Sequence, residues 1–193
     1  HAISTSADGA KDVYAADVDG DGDMDVLSAS SFDDKIAWYE NDGSPVQTTY
    51  VPDDNFEQAL IDLGYDDAMD DYVLTANISG VTSLDVGEKE ISDLTGIAGF
   101  TALTSLSCDN NSLTALDMSS NTALTYLQCG DNQLTELDVS ANTVLTNLYC
   151  GENQLTSLDV TANTALTILY CDNNQLTALD VSANTALTTL DFE

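Results

Sequence analysis

"LTNLYCGENQLTSLDVTANTA", Leu145 to Ala165, decides the fold, because it states one pattern twice. Its first ten residues read Leu-x-x-Leu-x-Cys-x-x-Asn, and the remaining eleven read Leu-x-x-Leu-x-Val-x-x-Asn. The same 21-residue unit runs four times from Leu103 to Ala186, and a fifth copy starts at Leu187. "VTSLDVGEKEISDLTGIAGFTA", Val81 to Ala102, is a degenerate 22-residue copy in front of them. A fixed period of this length is the signature of a solenoid, in which each repeat closes one coil and stacks on the next.

The spacing assigns each position in a coil a direction. Successive residues of a strand face opposite ways, so positions 4 and 6 of each half point inward and positions 3 and 5 point outward. Position 1 supplies a third apolar group. A lone coil buries too little apolar surface to offset the entropy of ordering its backbone, so the array folds only as a stack. Cys108, Cys129, Cys150 and Cys171 all fall at position 6, each 21 residues after the last. They read as a column of free structural thiols, and the Cys-x-x-Cys spacing of a zinc site is missing. Asn recurs at position 9 of both halves: Asn111, Asn132, Asn153 and Asn174 in one row, Asn121, Asn142, Asn163 and Asn184 in the other. A buried Asn can satisfy backbone groups where the chain turns out of a strand. Two rows predict two turns per coil, and hence two short parallel strands on two faces.

On these residues, Val81–Glu193 resembles leucine-rich-repeat proteins, and in particular the nested bacterial class called IRREKO, whose 21-residue unit carries the Leu-x-x-Leu-x-Leu-x-x-Asn motif twice. "ISDLTGIAGFTALTSLSC" resembles internalin-type repeats. The expected fold is therefore mainly β, a leucine-rich-repeat solenoid with two short parallel strands per coil. Ahead of it, "VPDDNFEQALIDLGY" (Val51–Tyr65) reads as a small helical cap. Asp54 and Glu57 have capping-box spacing, Phe56, Leu60 and Leu63 share a face, and Gly64 suits the helix stop. The segment resembles the N-terminal caps of such bacterial proteins.

"DVDGDGDMD" is the strongest chemical motif. Asp17, Asp19, Asp21 and Asp25 fall at loop positions 1, 3, 5 and 9, Asp23 can offer its carbonyl at position 7, and Gly22 permits the sharp turn. Hard oxygen donors at this density suit Ca²⁺. Position 12 is Ser28 where a helical calcium loop would carry Glu, and the flanks "VYAADV", "DVLSAS" and "KIAWYEN" read as strands, so the expected site is strand–loop–strand. The stretch "GAKDVYAADVDGDGDMDVLSASSFDDKIAWYENDG" resembles the FG-GAP or VCBS repeat, one blade of a β-propeller, which implies the same five aspartates as calcium ligands. The domain reading is 1–44 for this blade-like segment, 45–80 for linker and cap, and 81–193 for the solenoid.

Comparing the repeats with one another separates two outward faces. The eleven-residue halves keep Asp at position 5: Asp117, Asp138, Asp159 and Asp180. This row reads as a structural Asp–Ser ladder or as a row of cation sites. The ten-residue halves vary there, with Tyr126 and Gln128, Asn147 and Tyr149, and Ile168 and Tyr170. Tyrosine combines contact area with a polar tip, so these six residues mark the candidate ligand face.

Charge limits the partners. Against 34 Asp and Glu the 193 residues hold three basic side chains, Lys11, Lys35 and Lys89, for a formal charge of −31. Nucleic acid and anionic membrane surfaces are excluded by this balance, and no stretch is apolar enough for membrane insertion. Catalysis is not expected: the single His is His1, Arg is missing, and no cysteine has a base nearby in sequence. The expected function is a calcium-stabilised, non-catalytic binding or adhesion module, secreted or on a bacterial cell surface, that presents a solenoid face to a protein or glycan. The alternative is a structural subunit that self-associates into an extracellular fibre or surface layer.

Overall fold

The computed structural model describes residues 10–16, 25–30, 36–39 and 46–192. The chain divides into two units, His1–Val46 and Gln47–Glu193. In the first, β1 (Ala10–Ala16), β2 (Asp25–Ser30) and β3 (Ile36–Tyr39) form an antiparallel sheet in the order β1-β2-β3. Ala16, the last residue of β1, pairs with Asp25, the first of β2.

The second unit opens with β4 (Thr48–Tyr50), which falls in the stretch expected as linker and cap and pairs antiparallel with β5 (Tyr72–Leu74). Between them lies α1 (Asp54–Asp62), and a short α2 (Thr75–Ile78) follows. The N-cap of α1 is Asp53, not Asp54 as the capping-box reading had it. Asp53 Oδ1 accepts the N–H groups of Asn55 and Phe56, while its Oδ2 accepts the N–H and hydroxyl of Ser92 and the N–H of Asp93. One carboxylate thus caps the helix and ties it to the first coil, 39 residues away. Glu57, released from the capping box, is buried and accepts Asp70 N–H. The buried face of α1 is Phe56, Ala59 and Leu60, whereas Leu63 is exposed. The helix ends on Gly64 at φ +79°, with Tyr65 N–H donating to Leu60 and Gly64 N–H to Ile61, the bond pair of a Schellman motif. Phe56 stacks on Phe100 of the first coil at 6.4 Å between ring centroids.

Burial pulls the Asp53 carboxyl up, but the hydrogen bonds from Ser92, Phe56 and Asp93 outweigh it and hold the group below its ordinary value. A depressed folded-state value means stabilisation present above the unfolded pKa of about 4 and lost as pH falls through the folded one. Asp53→Asn is therefore expected to narrow the gap in stability to wild type as pH drops below about 4. Asp53→Ala at neutral pH is expected to cost about 2 kcal/mol, the upper end for an N-cap. Urea melts of the variants between pH 3 and 7 check both, and a gap independent of pH would contradict the first.

From Val81 the chain coils as the period demands. β6 (Ser83–Asp85), β7 (Ser105–Ser107), β8 (Tyr126–Gln128), β9 (Asn147–Tyr149), β10 (Ile168–Tyr170) and β11 (Thr189–Asp191) form one parallel sheet in chain order. The register is strict: Leu84, Leu106, Leu127, Leu148, Leu169 and Leu190 lie side by side. Positions 1, 4 and 6 of both halves are buried through the middle coils, as in Leu145, Leu148, Cys150, Leu155, Leu158 and Val160. The degenerate unit ends in a 3₁₀ turn, Ile97–Gly99. Its Gly96 has φ +105°, and a Cβ there would lie 2.8 Å from Tyr50 O, so glycine alone lets this loop close on β4.

The expectation of two strands per coil is corrected. Each coil has one, in the ten-residue half, and the eleven-residue halves meet in an isolated bridge, Asp117 to Asp138. The reason is local competition. Asp117, Asp138, Asp159 and Asp180 each accept the N–H two residues on, from Ser119, Ser140, Thr161 and Ser182. That fold-back takes N–H groups a second ladder would use. The strand side instead gains a hydroxyl ladder: Thr104, Thr125, Thr146, Thr167 and Thr188 each donate to the threonine carbonyl of the preceding coil.

Candidate binding face

The outward residues of β8, β9 and β10 are half-buried side chains on a sheet whose other side is closed core. Register places Gln128, Tyr149 and Tyr170 in one column and Tyr126, Asn147 and Ile168 in the next. All six residues read as the ligand face therefore share one surface. Tyr149 and Tyr170 stack nearly parallel at 5.2 Å and 15°. Tyr126 reaches diagonally to Tyr149, at 5.5 Å and 43°. The Tyr126 hydroxyl donates to Gln128 Oε1, and Asn147 Oδ1 lies 2.8 Å from Thr146 Oγ1. Desolvation, then Tyr149, Asp109 and Asp85, pushes the Tyr126 phenol up, so it stays a neutral donor.

Beside the tyrosines runs a feature that the sequence reading passed over. Position 7 of the first five coils is either Gly or Asp: Gly87, Asp109, Gly130, Gly151 and Asp172. A Cβ on Gly151 would sit 2.7 Å from Asp172 Oδ1, and one on Gly87 would sit 3.1 Å from Asp109 Oδ1. Gly87 and Gly151 make room for the carboxylate of the next coil, whereas Gly130 abuts the Gly151 carbonyl, and Asn110 and Asn173 hold the other oxygens of Asp109 and Asp172 at 2.8 Å. The restriction of this position to Gly and Asp was the available signal. At the capped end, an open cleft of 640 Å³ lies between α1 and the sheet, lined by Ala59, Asp62, Leu63, Asp85, Gly87, Glu88, Lys89, Ser107, Asp109 and Gln128.

The Asp117–Asp180 row lies on the eleven-residue side, where its first three members line a second cleft, of 730 Å³. The Ser119 hydroxyl and N–H hold Asp117 below the ordinary carboxylate range, and Ser140, Thr161 and Ser182 do the same for their partners. The carboxylates bond within their own coils, and among the described residues no three His, Cys, Asp or Glu side chains gather as metal ligands.

The four thiols are fully buried and free. Desolvation raises all of them, Cys171 to about 11 and Cys108, Cys129 and Cys150 well above the ordinary thiol value. Thiolate is the reactive form. Iodoacetamide at pH 8 is expected to leave the native chain unmodified and to alkylate all four thiols in denaturant, with Cys171 first as denaturant rises. Rapid native labelling of Cys129 or Cys150, read by peptide mass spectrometry, would show that the column is open.

Of the calcium-loop residues, Asp17, Asp19, Asp21 and Asp23 lie outside the described residues, and Asp25 is described only as the start of β2.

Comparison with known proteins bears on the solenoid. Residues 143–184 match the family described as Leucine Rich repeats (2 copies). Internalin J of Listeria monocytogenes serotype 4b (strain F2365) is 46% identical over 72 residues, which are 37% of this chain and 8% of that protein. A solved functional domain of InlJ from Listeria monocytogenes, described as including a cysteine ladder, superposes with TM-score 0.70 and 45% identity over 76% of this chain and 33% of its own. An internalin, inlF, of Listeria monocytogenes strain 4b F2365 gives TM-score 0.67 and 25% identity over 72% of this chain and 43% of its own. The chain thus spans a small part of Internalin J and a third of its solved domain. Residues 81–192 form a parallel-stranded leucine-rich-repeat solenoid similar to those of the internalins.

Proposed function

We propose that this chain is a non-catalytic binding module, secreted or carried on a bacterial surface, whose strand face takes a protein ligand. The observation that carries this is the tyrosine stack. Three coils place Tyr126, Tyr149 and Tyr170 against one another on a surface whose residues differ from coil to coil, while the eleven-residue side repeats Asp in the four full coils. Stacked, half-buried rings present large area at low entropic cost. Similarity to internalin solenoids supports a binding role. Protein and glycan arrays probed with wild type and with Tyr149→Ala/Tyr170→Ala test it. Protein hits lost in the double variant support the face, glycan hits alone would replace the ligand class, and hits indifferent to the tyrosines would discard the face. Ordered filaments in electron micrographs of the purified chain would favour fibre formation instead.

Ca²⁺ belongs to the same proposal, held by Asp17, Asp19, Asp21 and Asp25 with the carbonyl of Asp23. The pairing of Ala16 with Asp25 brings the two ends of this acidic stretch together, which fits a hairpin calcium loop of hard oxygen donors. The ion would neutralise carboxylates that otherwise repel. Calcium at a hundredfold over its dissociation constant is expected to add about 2.7 kcal/mol to the N-terminal unit. Thermal melts with calcium and with chelator, together with elemental analysis, check this; identical melts and no bound metal would rule it out.

A further inference from the structure

We infer that the strand face selects a basic segment, and specifically arginine side chains laid over the tyrosine stack with their guanidinium groups against its acidic border. This deepens the proposed function and rests on the strand face being the binding face. The column that holds Tyr149 and Tyr170 has acids at both ends, Asp85 at the capped end and Asp191 beyond Tyr170. Alongside it, Asp109 and Asp172 are pinned by their neighbouring asparagines. The cleft at the capped end reaches the stack through Gln128, and four carboxylates, Asp62, Asp85, Glu88 and Asp109, line it against the single Lys89.

Arginine fits this chemistry better than any other side chain. Its guanidinium is planar, so it can lie on a tyrosine ring and still turn its edge to a carboxylate. Lysine offers a point charge without the flat face. An acidic or phosphorylated ligand would meet like charge along the whole border, and the formal charge of −31 would slow its approach while steering a basic one in.

The experiment is an array of twelve-residue peptides, graded from acidic to arginine-rich and lysine-rich, probed in 150 mM salt (about physiological ionic strength) with four forms of the full chain. These are wild type, Tyr149→Ala, Asp109→Asn and Glu136→Gln; the last removes one charge from the eleven-residue side. Arginine-rich peptides are expected to bind wild type and to weaken roughly three- to thirtyfold with Tyr149→Ala, a cation–π loss, and with Asp109→Asn, but not with Glu136→Gln. Tyr149→Phe, which keeps the ring, is expected to retain binding, and matching thermal melts show that the variants are folded. Equal losses with Asp109→Asn and Glu136→Gln, with no dependence on Tyr149, would reduce the effect to bulk charge and overturn the inference. Tyr149-dependent binding of neutral or acidic peptides would overturn it too, yet leave the strand face standing. No binding by any peptide overturns it as well.

Discussion

Leu148→Ala is expected to destabilise the solenoid by about 3–5 kcal/mol, the range for emptying a well-packed leucine site. Leu148 is fully buried in the middle coil of the sheet, between Leu127 and Leu169 in register. Those flanking leucines are fixed by backbone bonds on either side, such as Thr146 N–H to Thr125 O and Cys150 N–H to Tyr170 O, each 2.8 Å, so the cavity cannot collapse. The same substitution at Leu190, which occupies the same column in β11 but is 41% exposed, is expected to cost under about 1 kcal/mol. Chemical denaturation of both variants tests the pair. Because coil-to-coil contacts carry the stability of such an array, Leu148→Ala should also split the transition, with the coils on either side of the defect melting separately. Equal costs at the two positions would mean that burial in this column does not set its energetics.

Asn153→Ala is expected to cost about 4 kcal/mol. Its Nδ2 donates to Cys129 O, Cys150 O and Gly151 O at 3.0–3.2 Å, and its Oδ1 accepts Leu134 N–H at 2.9 Å. Alanine strands buried groups in two coils at once, at about 1–3 kcal/mol for each that finds no substitute. Asn163 in the other row is fully buried but does less. Its Nδ2 donates to Val139 O and Asn142 O, each at 2.9 Å, while its Oδ1 meets no donor among the described residues, as is true of Asn121, Asn142 and Asn184. Asn163→Ala removes an unsatisfied oxygen together with two donors, so about 1–2 kcal/mol is expected. Unfolding midpoints that rank the two the other way round would refute this reading of the rows.

The two rows look identical on paper, since both place Asn at position 9. Their difference arises from what comes next. In the first row the following residues turn back across the stack, and the N–H of the preceding coil meets Oδ1, as Leu113 meets Asn132. In the second row consecutive i to i+3 turns, Asn142 N–H to Val139 O and Leu145 N–H to Asn142 O, satisfy the backbone within the coil and leave Oδ1 facing none of these donors. The same local closure, joined by the aspartate fold-back at Asp117 and its equivalents, turns an expected second strand into a bridge.

Periodicity alone determined the solenoid, the inward leucines, the buried thiol column and the shared surface of Tyr126, Tyr149 and Tyr170, because the direction of a side chain depends on spacing along the chain. The cap helix was legible for the same reason. Only the tertiary structure decided that each coil has one strand, that Asp53 rather than Asp54 caps the helix by reaching Ser92, and that the tyrosines stack within an acidic border. Those outcomes depend on which of several polar groups, coils apart or two residues apart, wins a given N–H. That competition is settled by distance in the folded chain, which no spacing in the sequence encodes.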